Sequence, residues 1–105
     1  MRRGEIWWAD LEPPIGRRPV LLLSRDQAYA IRALVIVALV TIRIRRIPSE
    51  VPLGPADGMP RDCVVNLDNM PTISRDDLRS RLTSLSPQKL KDVEAAIHFA
   101  LGLMD

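Results

Sequence analysis

Ala33-Leu34-Val35-Ile36-Val37-Ala38-Leu39-Val40-Thr41-Ile42-Arg43-Ile44-Arg45 decides how this chain folds. From Ala33 to Val40 every side chain is apolar, so neither face of the segment is left for water. Flanked by Arg32 and Thr41, the run falls far short of the roughly 20 residues that cross a bilayer. It therefore reads as a strand over Ala33–Ile42, buried on both faces and central in its sheet. Beyond it, Ile42-Arg43-Ile44-Arg45 alternates strictly, which predicts two isoleucines on one side and two arginines on the other. A basic stripe is expected at the strand's end.

Working outward, Glu5-Ile6-Trp7-Trp8-Ala9-Asp10 reads as a strand that runs into the Pro13-Pro14-Ile15-Gly16 turn. A second strand is predicted over Arg18–Ser24, opened by Pro19, whose missing N–H suits a strand's start. The polar stretch Arg25–Arg32 reads as a loop with room for one helical turn. On the other side of the central run, Ser49–Leu53, Cys63–Leu67, Met70–Ile73 and Leu82–Leu85 read as short strands, with Pro71 placing the third on an edge. Ser74-Arg75-Asp76-Asp77 has the spacing of a capped helical turn. Ser86 as cap, Pro87 at the first helical position, and Leu90, Val93, Ile97 and Leu101 at helical spacing predict a terminal helix ending near Gly102. The expectation is one mainly β (α+β) domain over residues 1–105: a small curved antiparallel sheet, partly closed like a barrel, with a C-terminal helix on one face.

Composition narrows the chemistry. Fifteen Lys+Arg against thirteen Asp+Glu give a formal charge of +2, too small for a histone-like polyanion binder. The single cysteine, Cys63, has no intrachain partner and sits beside Val64 and Val65, so it reads as a packed hydrophobe in a reducing compartment. Met1-Arg2-Arg3-Gly4-Glu5 lacks the apolar core of a signal peptide, and a cytoplasmic location without membrane contact is expected. The only histidine, His98, lies in the terminal helix and the acids lack ligand spacing, so no metal and no cofactor are expected. What remains is arginine. Gly16-Arg17-Arg18-Pro19 puts two guanidiniums where a turn enters a strand, and Arg43 and Arg45 end another. If those strand ends converge, they form a positive groove for RNA phosphate, with the RNA's own 2′-hydroxyl as nucleophile.

Four landmarks in order resemble the MazF/PemK toxin ribonucleases over nearly the whole chain. They are Arg3-Gly4-Glu5-Ile6-Trp7 with Asp10-Leu11; Gly16-Arg17-Arg18-Pro19-Val20-Leu21 with Ser24 and Asp26; Asp62-Cys63-Val64-Val65-Asn66-Leu67-Asp68-Asn69 with Thr72-Ile73; and Leu85-Ser86-Pro87 with Ala100-Leu101-Gly102-Leu103. The resemblance implies an SH3-like barrel of the PemK/CcdB-like type, a homodimer, single-stranded RNA as substrate and a cognate antitoxin protein as inhibitor. It implies Arg18 and Thr41 as catalytic residues at the scissile phosphate. Guanidinium groups keep their charge near neutrality, so electrostatic stabilisation is the larger expected role of such an arginine and proton donation the lesser. Arg17, Arg25, Arg43 and Asn69 are the candidate RNA-binding residues, Asn69 by reading a base edge with its amide. The sequence departs from the family in its short Leu11–Arg17 connection, in Ile42 and Arg43 after Thr41, and in Pro71. Two alternatives stay open: a toxin of the same fold that poisons a protein such as gyrase, and a catalytically weak RNA-binding homologue.

Overall fold

The computed structural model describes residues 1–103. Its strands are β1 (Glu5–Asp10), β2 (Arg17–Leu22), β3 (Leu34–Thr41), β4 (Glu50–Leu53), β5 (Cys63–Asn66), β6 (Thr72–Ser74) and β7 (Leu78–Ser84). A one-turn helix, α1 (Ala28–Ile31), precedes β3, and α2 (Pro87–Ala100) follows β7. All strand pairings are antiparallel, in the order β4-β5-β3-β2-β1-β7, with β6 on the first half of β3.

The apolar run is central, and from Val37 to Val40 each of its faces enters a different core; the expected burial on both faces fails earlier, at the exposed Leu34 and Ile36, and beyond the strand at Ile42. Ala38 and Val40 join Ile6, Leu21, Val51, Leu53 and Val65 beneath α2. Val35, Val37 and Leu39 join Ala9, Val20, Leu22 and Tyr29 on the opposite side. A strand alternates its side chains, so only a segment apolar at every position can serve both cores. At the far edge, β1 and β7 slip register between Ile6 and Trp7 and again between Trp8 and Ala9. Such irregularities increase local twist and curl the sheet.

Helix α2 starts where its capping residues predict: the Ser86 hydroxyl accepts from the Lys89 N–H at 3.2 Å, and Pro87 is the first helical residue. Val93 and Ala96 are buried against the sheet, with Leu90 and Ile97 beside them. Leu101, expected on the same stripe, is 57% exposed, because the helix ends at Ala100 and Gly102 turns the chain with φ +67. Ser86→Ala is expected to lower stability by about 1 kcal/mol, read from denaturant titrations, since the N-terminal N–H it serves would lose its partner.

Most strand ends shift by a residue or two from the sequence reading, β2 ending at Leu22 rather than Ser24, and three differences have a clear physical cause. The segment Ile42–Arg45 is not a strand continuation. The Thr41 hydroxyl accepts from the Arg43 N–H at 3.1 Å, and the Glu50 carboxylate accepts from the Arg45 N–H at 2.9 Å, so side chains take donors that a sheet ladder would use. The third short strand begins at Thr72 rather than Met70, since Pro71 cannot donate; its carbonyl accepts from the Val37 N–H at 3.0 Å. The last strand starts at Leu78, four residues before Leu82. Its Arg79, Ser80 and Arg81 are exposed on an edge, which hid it from an apolar pattern. No helix among the described residues is long and apolar enough to cross a membrane.

Candidate functional site

Arg18 and Thr41 meet through sheet register. Strand β2 pairs with β3 as Val20↔Leu39, Leu21↔Ala38 and Leu22↔Val37. Continued two residues, that register puts Arg18 across from Thr41. Both lie on the face that carries Val20, Leu22, Val37 and Leu39, at the rim where that core gives way to solvent. From the other side of β3, β5 pairs Leu39↔Asn66 and Thr41↔Val64, which brings in the end of β5 and the turn after it.

The result is a cleft of about 160 Å³ lined by Arg18, Leu39, Thr41, Arg43, Arg45, Asn66 and Asn69. Its floor is the buried Leu39 and its walls carry three guanidiniums, two amides and a hydroxyl. None of its lining residues is acidic. The Thr41 oxygen already accepts from the Arg43 N–H, so its own hydrogen is left to donate. Asn66 Oδ1 accepts from the Asp68 N–H at 3.0 Å, which assigns the amide and leaves its NH₂ as the remaining donor group. Asn69 is pinned by its backbone: its N–H donates to the Asn66 carbonyl at 3.2 Å, and its carbonyl accepts from the Leu39 N–H at 3.2 Å. The buried Ser49 hydroxyl donates to Asp68 at 2.5 Å and fixes the same turn from behind.

Of the sequence-derived candidates, Arg18, Thr41, Arg43 and Asn69 share this cleft. Arg17 does not line it. Adjacent strand residues point to opposite faces, and its guanidinium lies 5.1 Å from the Trp8 ring centroid and 3.9 Å from the Asp10 carboxylate. Arg25 is exposed in the loop beyond the far end of β2, where its carbonyl accepts from the Ala28 N–H at 2.9 Å.

Asn66 and Glu50 were not singled out as site residues from the sequence, whereas Arg45 was read with Arg43 as part of the basic strand end that would form a groove. Asn66 ends an apolar strand just before the Asp68-Asn69 turn, and that position was the available signal. Glu50 accepts from Arg45 Nε at 2.8 Å. Burial would push its carboxyl up, but hydrogen bonds from the Arg45 side chain and backbone, with the Arg45 charge, hold it below the ordinary carboxylate range. Burial likewise pushes the Cys63 thiol up, with Asp62 and Asp57 adding to it, which disfavours the thiolate a nucleophile needs. Among the described residues no group of three or more His, Cys, Asp or Glu side chains is placed to hold a metal ion.

Three guanidiniums and hydrogen-bond donors around a small open cleft fit a phosphodiester, which is charged and accepts several hydrogen bonds. Comparison with known proteins points the same way. The chain is 44% identical over 104 residues to a probable endoribonuclease, MazF2, of Mycobacterium tuberculosis, covering 97% of this chain and 99% of that one. Its fold superposes with TM-score 0.88 on an endoribonuclease solved in complex with its cognate antitoxin from a mycobacterial species, at 30% identity over 100% of this chain and 98% of that one. It also matches the Mycobacterium tuberculosis toxin MazF-mt6, with TM-score 0.89 and 31% identity over 96% of this chain and 99% of that one. Residues 2–101 match the family described as PemK-like, MazF-like toxins of type II toxin–antitoxin systems, and with that agreement of sequence and fold the chain belongs to this family.

Proposed function

We propose that this protein is a cytoplasmic toxin that cleaves single-stranded RNA, acts as a homodimer and is neutralised by a cognate antitoxin. The observation that carries the reading is the convergence of Arg18 and Thr41 on one cleft with Arg43, Arg45, Asn66 and Asn69. The mycobacterial relatives, a probable endoribonuclease in sequence and an endoribonuclease bound to its antitoxin in structure, support it. Exposed apolar side chains at Ile31, Leu34 and Ile36, 66%, 60% and 47% accessible, support burial against a second copy. An acidic antitoxin segment would complement the arginines of the cleft.

In the proposed reaction the 2′-oxygen of a ribose attacks the adjacent phosphorus while the bond from phosphorus to the 5′-oxygen breaks. The 2′-hydroxyl proton passes to water, and the departing 5′-oxygen takes a proton from water or from Arg18. The products are a 2′,3′-cyclic phosphate and a 5′-hydroxyl end. Negative charge grows on the non-bridging oxygens of the pentacovalent transition state. Arg18 stabilises that charge from β2 while the Thr41 hydroxyl donates to the same group from β3. Arg43, Arg45, Asn66 and Asn69 hold the flanking nucleotides. RNA in excess chelator is expected to be cut to those two end types, mapped by whether phosphatase and kinase treatments change the fragments. Intact RNA, or ends of any other kind, would sink the proposal. The cation-lined cleft is also why RNA is preferred here over a protein target: a gyrase-poisoning surface has no need of three converging guanidiniums.

A further inference from the structure

On the RNA-cleaving reading above, we propose that Glu50 is the positioning residue of the cleft: it folds residues 43–46 so that the Arg45 guanidinium is presented to an RNA phosphate. Glu50 opens β4 with its side chain 1% exposed, whereas Arg45 is 42% exposed. Its Oε1 accepts from the backbone N–H of Arg45 at 2.9 Å and of Arg46 at 3.2 Å, and its Oε2 accepts from Arg45 Nε at 2.8 Å. One buried carboxylate therefore takes three donors from two consecutive residues.

Those bonds impose a chain path that the local sequence would not choose. Arg46 has φ 55, in the left-handed region where a non-glycine residue stays only if its surroundings over-determine it. Along that path the side chains fall on two sides. Arg43 and Arg45 line the small cleft with Arg18 and Thr41, while Ile44 and Arg46 line a separate, larger cleft of about 700 Å³ on the other side of the segment. Fixing Nε also fixes the guanidinium plane and leaves the two Nη groups for a ligand, the edge with which arginine grips phosphate.

The test measures binding of a single-stranded 2′-O-methyl RNA, which lacks the attacking hydroxyl, alongside cleavage of the matching unmodified RNA. Wild type, Glu50→Gln, Arg45→Ala and the double variant are compared across a salt series. Glu50→Gln is expected to weaken binding about tenfold and to make the slope of log affinity against log salt shallower by roughly one phosphate contact. KM should rise with kcat within about twofold, and the double variant should bind no more weakly than Arg45→Ala, as a residue acting through Arg45 requires. Should Glu50→Gln melt too early to assay, Glu50→Asp, which keeps the charge but withdraws it by one methylene, makes the same comparison. A wild-type salt slope in a Glu50 variant, or losses that multiply in the double variant, would overturn this inference while leaving the nuclease standing. Wild-type protein that neither binds nor cuts RNA would overturn both.

Discussion

Replacing Arg18 by alanine is expected to lower the rate of RNA cleavage by about 10³-fold, equivalent to roughly 4 kcal/mol of lost transition-state stabilisation, with the fold intact. The size of the effect follows from where the guanidinium sits. Arg18 is half-buried at the rim of a core that includes Val20 and Leu39, so water screens its charge less than it would at an open surface. Among the described residues it belongs to none of the chain's ion pairs, so its charge is not spent on a carboxylate. Its backbone is paired with Ala9 on β1, and the β2–β3 pairing holds the same strand from Val20 on, so truncating the side chain leaves the strand in place. Thr41→Val, which keeps the shape and removes the hydroxyl, is expected to cost less, about 10- to 100-fold, because a single hydrogen bond to a charged group is lost rather than a full charge. Single-turnover rates on one RNA, with circular dichroism to verify the fold, measure both. An alanine variant that cuts at the wild-type rate would remove Arg18 from the chemistry whatever its position in the cleft.

The parts of this site legible in the sequence are those set by strand periodicity. Pro19 dated the start of β2, and the apolar run dated the end of β3. Two strands that pair antiparallel bring those ends together, but it was the MazF/PemK resemblance, not the periodicity, that named Arg18 and Thr41 there. Arg17 was not separable from Arg18 in sequence, since both stand in the same turn. Its place on the opposite face depends on which residue of the pair looks toward the Val20 side. The Ile42–Arg45 alternation gave the right sorting for Arg43, Ile44 and Arg45 and the wrong backbone. A local pattern reports which side chains share a side, but not whether a ladder exists to pair with. The decisive group there is Glu50, which meets Arg45 only through a tertiary hydrogen-bond set that no short-range pattern encodes. For the same reason β7 was seen only in part. Edge strands need not be apolar, and exposed Arg79 and Arg81 look like loop residues until β1 is found beside them.

A second large effect is expected at Val93. Introducing aspartate there should remove most of the folding free energy, several kcal/mol out of the roughly 5–15 typical of such domains. Val93 is fully buried in the core with Ile6, Leu21, Val51, Leu53 and Met59, apolar neighbours that offer a carboxylate no hydration. The group would have to stay neutral or drive α2 off the sheet, and an isolated helix of this length is marginal in water. Leu101→Asp is the informative partner, because the same helical spacing that marks Val93 as core marks Leu101 as well. With Leu101 57% exposed beyond the helix end, its replacement should change stability by no more than about 0.5 kcal/mol. Urea titrations followed by circular dichroism separate the two. Equal losses would mean that α2 runs on past Ala100 and packs Leu101 against the sheet, whereas a collapse confined to Val93 fixes the helix's buried face. The sheet face that carries Arg18 and Thr41 lies across β2 and β3 from that core, so cleavage should fail in Val93→Asp only as the fold does, in step with the unfolded fraction.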